Sequence, residues 1–362
     1  MNFDFSEDQR RLQAEVRRVL ADYSTSANVR AVLEGKTLYC AETWRQLAAL
    51  GALGVALPEA QGGVGLGLLE LCLVAEEAGR ALAAVPLLSS VYLAAEALRR
   101  AGSPAQQALW LPRLASGEVI GTAALSGAAH RISTTPPPRR EGDVLTGTLH
   151  AVPDGMAAEI CVVLAEGRLA LVALNGPGVS REAQSSLDPA RPLARIDFSA
   201  APATWLPGDG AAAARAVTLG VATLLAFEQI GGAEAALQMA RDYVLQRRAF
   251  GRVVGGFQAV KHKLAEIYTK LELARTHAYF AAWALASGAP ELPRAAAAAR
   301  VAATTAYTLA AEEGLHLHGG IGFTWEMDCH LHLRRARWLG QIIGNEHLWR
   351  DALAVALIEE AA

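Results

Sequence analysis

Apolar and polar positions divide the chain into three stretches with different periods. In the first, apolar residues recur at helical spacing from a capping-box pair, Ser6 and Gln9, to about residue 23. The same spacing returns over 41–50, ending at Gly51, then over 68–82, 89–100 and a shorter run, 104–116. Between the second and third runs, GALGVALPEAQGGVGLG is dense in Gly and Pro and reads as a loop carrying backbone turns. In the second stretch the long helical runs stop. Short apolar segments replace them at 119–122, 159–164 and 169–174, separated by turn dipeptides such as Gly142-Asp143, Asn175-Gly176 and Gly208-Asp209. Within it, Thr134-Thr135-Pro136-Pro137-Pro138-Arg139-Arg140 cannot be helix interior and reads as a surface loop. The third stretch is helical again, in runs over 211–248, 257–287 and 293–317 with short connections, the pattern of an antiparallel bundle. The predicted class is α+β: an N-terminal helical domain (1–116), a small, shortened middle β domain (117–209) and a C-terminal antiparallel helical bundle (210–362).

Composition narrows the function classes. The 362 residues carry 33 Lys and Arg against 36 Asp and Glu, a net charge of −3, so there is no bulk electrostatic case for nucleic acid or an anionic membrane. Apolar residues make up 52% and charged residues 19%, enough for a large core. Cys40, Cys72, Cys161 and Cys329 lie far apart with no CxxC pair, which argues against a zinc ribbon or disulfide scaffold and fits a reducing cytoplasm. The opening MNFDFSEDQRRLQ is too acidic and polar for a signal peptide, and the apolar stretches are Ala-rich and interrupted by charge, so none reads as a membrane span. A soluble intracellular globular protein is the expectation.

Two segments carry candidate chemistry. In the first, residues 247–262, paired arginines end a helix, a glycine-rich turn follows, and a new helix opens at Phe257-Gln258. Arg offers a planar fork to phosphate oxygens and a helix start offers free N–H groups, so the segment suits an anion. Alternatively, the arginines neutralise a helix C-terminus and Gly255-Gly256 turns the chain. In the second, residues 314–326, Gly319, Gly320 and Gly322 allow close approach to a planar ligand or simply end a helix. His316, His318, His330 and His332 raise the idea of a metal, but residues two apart on a helix do not share a face and no carboxylate or thiolate stands at ligand spacing. No metal site is read here.

Taken together, RRAFGRVVGGFQAVKHKLAEI and HLHGGIGFTWEMDCHLHLRRA resemble the C-terminal signature of acyl-CoA dehydrogenases. WRQLAALGALGVALPEAQGGVGLG, from Trp44, resembles their N-terminal signature, and FDFSEDQRRLQ fits too. The resemblance covers both helical domains and implies an α–β–α dehydrogenase fold, FAD, α,β-desaturation of an acyl-CoA, and electron-transfer flavoprotein as acceptor. It implies that Arg247, Phe250 and Gln258 reach across a subunit interface to FAD, with Val254 and Phe257 beside them. Gly319 and Gly320 match the pair near the adenine half of the cofactor, and His316 replaces the family's Gln.

The resemblance then breaks. The reaction needs a carboxylate to take the α-proton. Anchoring on Gln341-Ile342 puts Gly344 at one standard base position, and counting back from Arg247 puts Val221 at the other. Glu228 and Glu346 are fallback bases, and Glu326 is expected to pair with Arg334 or Arg335. In the β domain, TAALSGAAHRIS and LTGTLHAVPDGMAAEI stand where the family has a Pro-Gly-rich loop and a Trp that lies against the flavin ring. This pattern resembles the smaller, catalytically incomplete subunit of a heteromeric dehydrogenase, of the kind acting on steroid side chains and related bulky acyl-CoAs, paired with a larger related subunit. An active homo-oligomer with an unusual base and a non-enzymatic scaffold of the same fold stay open as alternatives.

Overall fold

The computed structural model describes residues 5–125 and 138–361. Eleven α-helices and ten short strands are described, in the order helices, strands, helices, as the hydrophobic periods predict. Before the sheets come α1 (Glu7–Tyr23), α2 (Ser26–Leu33), α3 (Ala41–Ala49), α4 (Leu68–Arg80), α5 (Glu96–Ala101) and α6 (Pro104–Ala115). Then follow β1 (Gly121–Ala124), β2 (Arg139–Glu141), β3 (Val144–Pro153), β4 (Ile160–Ala165), β5 (Arg168–Ala173), β6 (Val179–Gln184), β7 (Leu193–Pro202) and β8 (Thr204–Trp205). The C-terminal part holds α7 (Gly210–Gln246), a hairpin of β9 (Arg248–Ala249) and β10 (Arg252–Val253), α8 (Gln258–Ser287), α9 (Leu292–Leu317), α10 (Cys329–Leu339) and α11 (Glu346–Ala361).

Local chemistry fixes several of these ends. Ser6 and Gln9 exchange the two bonds of a capping box at the start of α1. Ser103 and Gln106 do the same for α6, with Pro104 at its first position. Residues 87–95, expected within an ordinary helix over 89–100, instead form a π-helical stretch, and α-helix resumes only at Glu96. The widened turn leaves all nine residues buried, and Ser90 Oγ accepts from Gly121 N at 3.2 Å, tying the stretch to β1. Arg139 and Arg140, expected in a loop, are strand residues paired with Thr146 and Leu145. Residues 134–137 of that expectation, and 126–133 of the departure in the β domain, lie outside the described residues.

By compactness the chain divides into two units. One comprises residues 22–71 and 84–221 and contains two four-stranded sheets, ordered β1-β4-β5-β8 and β2-β3-β7-β6. β1 and β4 run parallel and the remaining pairs are antiparallel. β4 is buried along its whole length.

The other unit comprises residues 1–21, 72–83 and 222–362, and holds both motif segments. Here α9 packs along α8, α10 and α11. α4 and α7 cross backbone to backbone: a Cβ on Gly79 would lie 1.8 Å from the carbonyl oxygen of Glu228, and one on Gly231 would lie 1.8 Å from that of Glu76. Only glycine permits this approach. Around the crossing, Glu76, Glu77 and Glu234 meet Arg17, Arg80 and Arg275 at 2.6–3.1 Å. Glu76 and Glu77 are fully enclosed, and matching three carboxylates with three guanidinium groups makes that burial tolerable. Burial nonetheless pushes the Glu76 carboxyl above the usual range, against the pull of Arg275. By length and apolar composition α7 is long enough to cross a membrane, but 67% of its most apolar window is buried within the chain, as in a core helix.

Candidate functional site

The arginine-rich segment is a hairpin rather than a helix end. α7 stops at Gln246, not at 248, because Arg248 and Ala249 pair with Val253 and Arg252. Phe250 and Gly251 form the connecting turn with φ of +50° and +78°. Positive φ at both central residues is the geometry of a type I′ turn, which suits the twist of a two-stranded ribbon. Phe250 adopts it despite its side chain, and that side chain is 96% exposed. The base of the hairpin is closed by Val254 N donating to Arg247 O at 2.8 Å. A single tight turn, Val254–Gly256, then leads to Phe257, which caps α8 without a side-chain bond. The Arg252 guanidinium sits 3.9 Å over the Phe257 ring, and Phe250 meets that ring edge-on at 6.4 Å. Arg247, Arg248 and Gln258 are exposed. Arg248 therefore differs from Arg247 by lying in a strand.

The glycine segment ends α9. His318 is buried, its ring stacked on Tyr243 with centroids 4.4 Å apart. His318 Nδ1 lies 2.7 Å from Gly314 O, so Nδ1 carries the proton and donates it. Nε2 is buried and has no hydrogen-bond partner among the described residues. Gly319, at φ +64°, and Gly320 follow on the exposed surface, and a Cβ on either would meet nothing within 4 Å. His316 is exposed, its Nδ1 4.0 Å from Glu313 Oε2, while Glu313 Oε1 takes Lys263 Nζ at 2.6 Å. Beyond the turn Ile321, Phe323 and Trp325 are exposed. Among the described residues no group of three or more His, Cys, Asp or Glu is placed to hold a metal ion.

The candidate base positions are occupied very differently. Val221 is buried in α7. Gly344 is buried at φ +104°, a backbone conformation in which a glutamate would be strained. Glu228 has no exposed surface, and its Oε1 lies 3.6 Å from Arg335 Nη1, itself buried and donating to the carbonyls of Leu82 and Ala83. A second enclosed guanidinium, Arg300, donates to Gln229 Oε1 and to Leu339 O. Burial pulls the Arg300 pKa down to about 9, and Glu228 opposes that fall. Glu346 opens α11 and is shared by Thr305 Oγ1 at 3.1 Å and Arg350 Nη2 at 2.5 Å.

In the sheet unit, the segment that stands in place of the family's flavin-facing Trp is tied down from outside by Arg181 and Ser89. Arg181 Nη1 donates to the carbonyls of Gly155, Met156 and Ala158 at 2.8–3.3 Å, and Ser89 Oγ donates to Asp154 Oδ2 at 2.6 Å. Sequence reasoning missed three of these relationships: Tyr243 with His318, Glu228 with Arg335, and the Arg181 clamp. Each joins segments distant in sequence, and no local motif announces them.

Models of the acyl-CoA dehydrogenase N-terminal and C-terminal domains match residues 6–118 and 208–358. Acyl-CoA dehydrogenase IpdE2 of Mycobacterium tuberculosis is 36% identical over 338 residues, 93% of each chain. Among solved structures, a subunit of the ChsE4-ChsE5 complex from Mycobacterium tuberculosis superposes with a TM-score of 0.91 at 30% identity, covering 99% of both chains. A chain of a Tcur3481-Tcur3483 steroid ACAD variant gives 0.88 at 31% identity, covering 98% of this chain and 99% of that one.

Proposed function

Since this chain belongs to the acyl-CoA dehydrogenase family, a family of flavin-dependent oxidoreductases, we propose that it is the base-less subunit of a heteromer and lends flavin contacts to a larger related partner. One contrast carries the reading. Arg247, Phe250, Gln258, Gly319 and Gly320 all face out of their own unit, while the available carboxylates are engaged or enclosed. The heteromeric names among its relatives, ChsE4-ChsE5 and Tcur3481-Tcur3483, support it further.

The exposed set suits FAD. Gly319 and Gly320 leave open space where a side chain would stand, and the guanidinium of Arg247 is free to face an anion. Bound there, FAD would supply the hydride acceptor for α,β-desaturation of an acyl-CoA, with a steroid side chain as the substrate class and electron-transfer flavoprotein as the onward acceptor. In this reading Arg247 binds pyrophosphate by charge-assisted hydrogen bonds, Gln258 and His316 offer donors, and Phe250, Val254 and Phe257 exclude water. The proton is taken by the partner's carboxylate, because Gly344 and Val221 cannot hold one. Residues 1–116, 117–209 and 210–362 serve as the three functional parts, in the cytoplasm.

Co-expression with a larger homologue tests the proposal. The complex is expected to be yellow and to desaturate acyl-CoA, and this chain purified alone to be colourless and inactive. Stoichiometric flavin and dye reduction by the isolated chain would overturn it in favour of an active homo-oligomer.

A further inference from the structure

We propose that His318 and Tyr243 form a positioning clamp that holds the two flavin-contact segments in one fixed arrangement; this rests on the flavin reading above. The segments lie at the ends of different helices, the hairpin after α7 and the glycine turn after α9, and among the described residues no hydrogen bond joins one to the other. The stacked pair supplies the link. Tyr243 sits in the last turn of α7, and its carbonyl accepts the N–H of Arg247 at 2.8 Å. The next carbonyl, Val244 O, faces Gly255 so closely that a Cβ there would lie 3.2 Å away. Val254, one residue before, closes the hairpin on Arg247 O. On the other side, His318 immediately precedes Gly319 and Gly320 and is fastened to α9 through Gly314 O. A shift of the Tyr243 ring therefore moves both the arginine and the glycine turn.

The clamp depends on the ring face, since Gly314 O also accepts the backbone N–H of His318. Nε2 makes no hydrogen bond among the described residues, so the property required at position 318 is a planar ring of this size. That requirement makes Phe the conservative replacement and Ala the disruptive one.

Hydrogen exchange on the full chain tests the mechanical half. His318→Ala is expected to speed exchange at the amides of Val254 and Phe257 as well as across 319–323, and His318→Phe to leave the hairpin protected. A change confined to 319–323 would overturn the coupling. If His318→Ala does not fold, Tyr243→Leu removes the stack from the other side and is expected to give the same pattern. The functional half is read as FAD retention by the co-expressed complex. His318→Ala is expected to weaken it roughly three- to tenfold, the factor an aromatic pair of this kind is worth, and to cost less once Arg247→Ala is present. Additive losses would sink the clamp. No loss from Arg247→Ala itself would instead remove the flavin reading beneath it, which separates the two failures.

Discussion

Glu228 and Arg335 face each other at 3.6 Å in a region closed to solvent, and the same carboxylate is the counter-charge felt by Arg300. A carboxylate so placed sets one negative charge against two guanidinium groups. Glu228→Gln is expected to lower the unfolding free energy by roughly 3 kcal/mol, the scale for breaking a buried ion pair, measured by urea denaturation. Activity of the folded complex is expected to persist. Loss of turnover at full stability would make Glu228 the base after all. For the exposed pair at Glu346, Glu346→Gln is expected to cost no more than about 0.5 kcal/mol and to leave turnover intact.

Arg247→Ala and Arg248→Ala separate the two arginines of the hairpin. A hydrogen bond to a charged group is worth roughly 1.5–3 kcal/mol, so Arg247→Ala is expected to reduce FAD retention by the complex by about an order of magnitude or more. Arg248→Ala is expected to do less. Equal flavin content in both variants, read from the absorbance ratio of the purified complexes, contradicts the assignment.

At the hairpin tip, Phe250→Gly relieves a positive φ while removing a side chain that buries almost nothing within the chain. The isolated chain is expected to gain about 1 kcal/mol in stability, and the complex to lose flavin. A thermal scan of the chain and a flavin assay of the complex give the two readings. A chain that is less stable with glycine there shows that the turn is not strained.

Glycine positions divide into two kinds. Gly79→Ala would place a methyl 1.8 Å from the Glu228 carbonyl and force α4 away from α7, at a cost of roughly 3 kcal/mol or more. Gly320→Ala meets nothing and is expected to fold normally while impairing flavin retention. Wild-type melting together with wild-type flavin content in Gly320→Ala removes Gly320 from the site.

His332 gives a pH signature. Burial, reinforced by Arg335, holds its pKa down at about 4 against 6.5 for a free imidazole. Below pH 6.5 the unfolded chain takes up a proton that the folded chain refuses, so this contribution to stability falls as pH drops from about 6.5 to about 4. The loss is on the order of 3 kcal/mol for a shift of this size. Denaturation curves at pH 7 and pH 4.5 are expected to differ less in His332→Phe than in the parent chain. Equal differences in both would mean that His332 takes up its proton as readily in the folded chain as in the unfolded one.

Most helices were legible because one face of each is apolar. Where that rule fails, the sequence misleads. α10 buries His332 and Arg335, so polar letters occupy its inner face and its period is hidden. α11 exposes Val355, Leu357 and Ile358, so its apolar residues form no inward stripe. The π-helical stretch widens the turn over Leu87–Ala95, which a 3.6-residue template cannot register. The hairpin at 248–253 was hidden by arginines that continue a helical pattern, its turn being decided by the backbone of Phe250 and Gly251. The motif segments of the candidate site could be read because they are contiguous. The counter-charge of Glu228 could not, since Arg335 lies far along the chain.

Under the proposed pairing, the two-residue turn that carries Phe250 has a consequence for the speed and selectivity of assembly. A ribbon this short, closed by Val254 N on Arg247 O, has few alternative shapes. The backbone that carries the ring is thus set before any encounter takes place, and little backbone entropy remains to be lost if a second surface meets it. A partner whose recess matches that backbone would associate without waiting for the tip to order. One whose recess is displaced would find no compliance in the tip to rescue the fit.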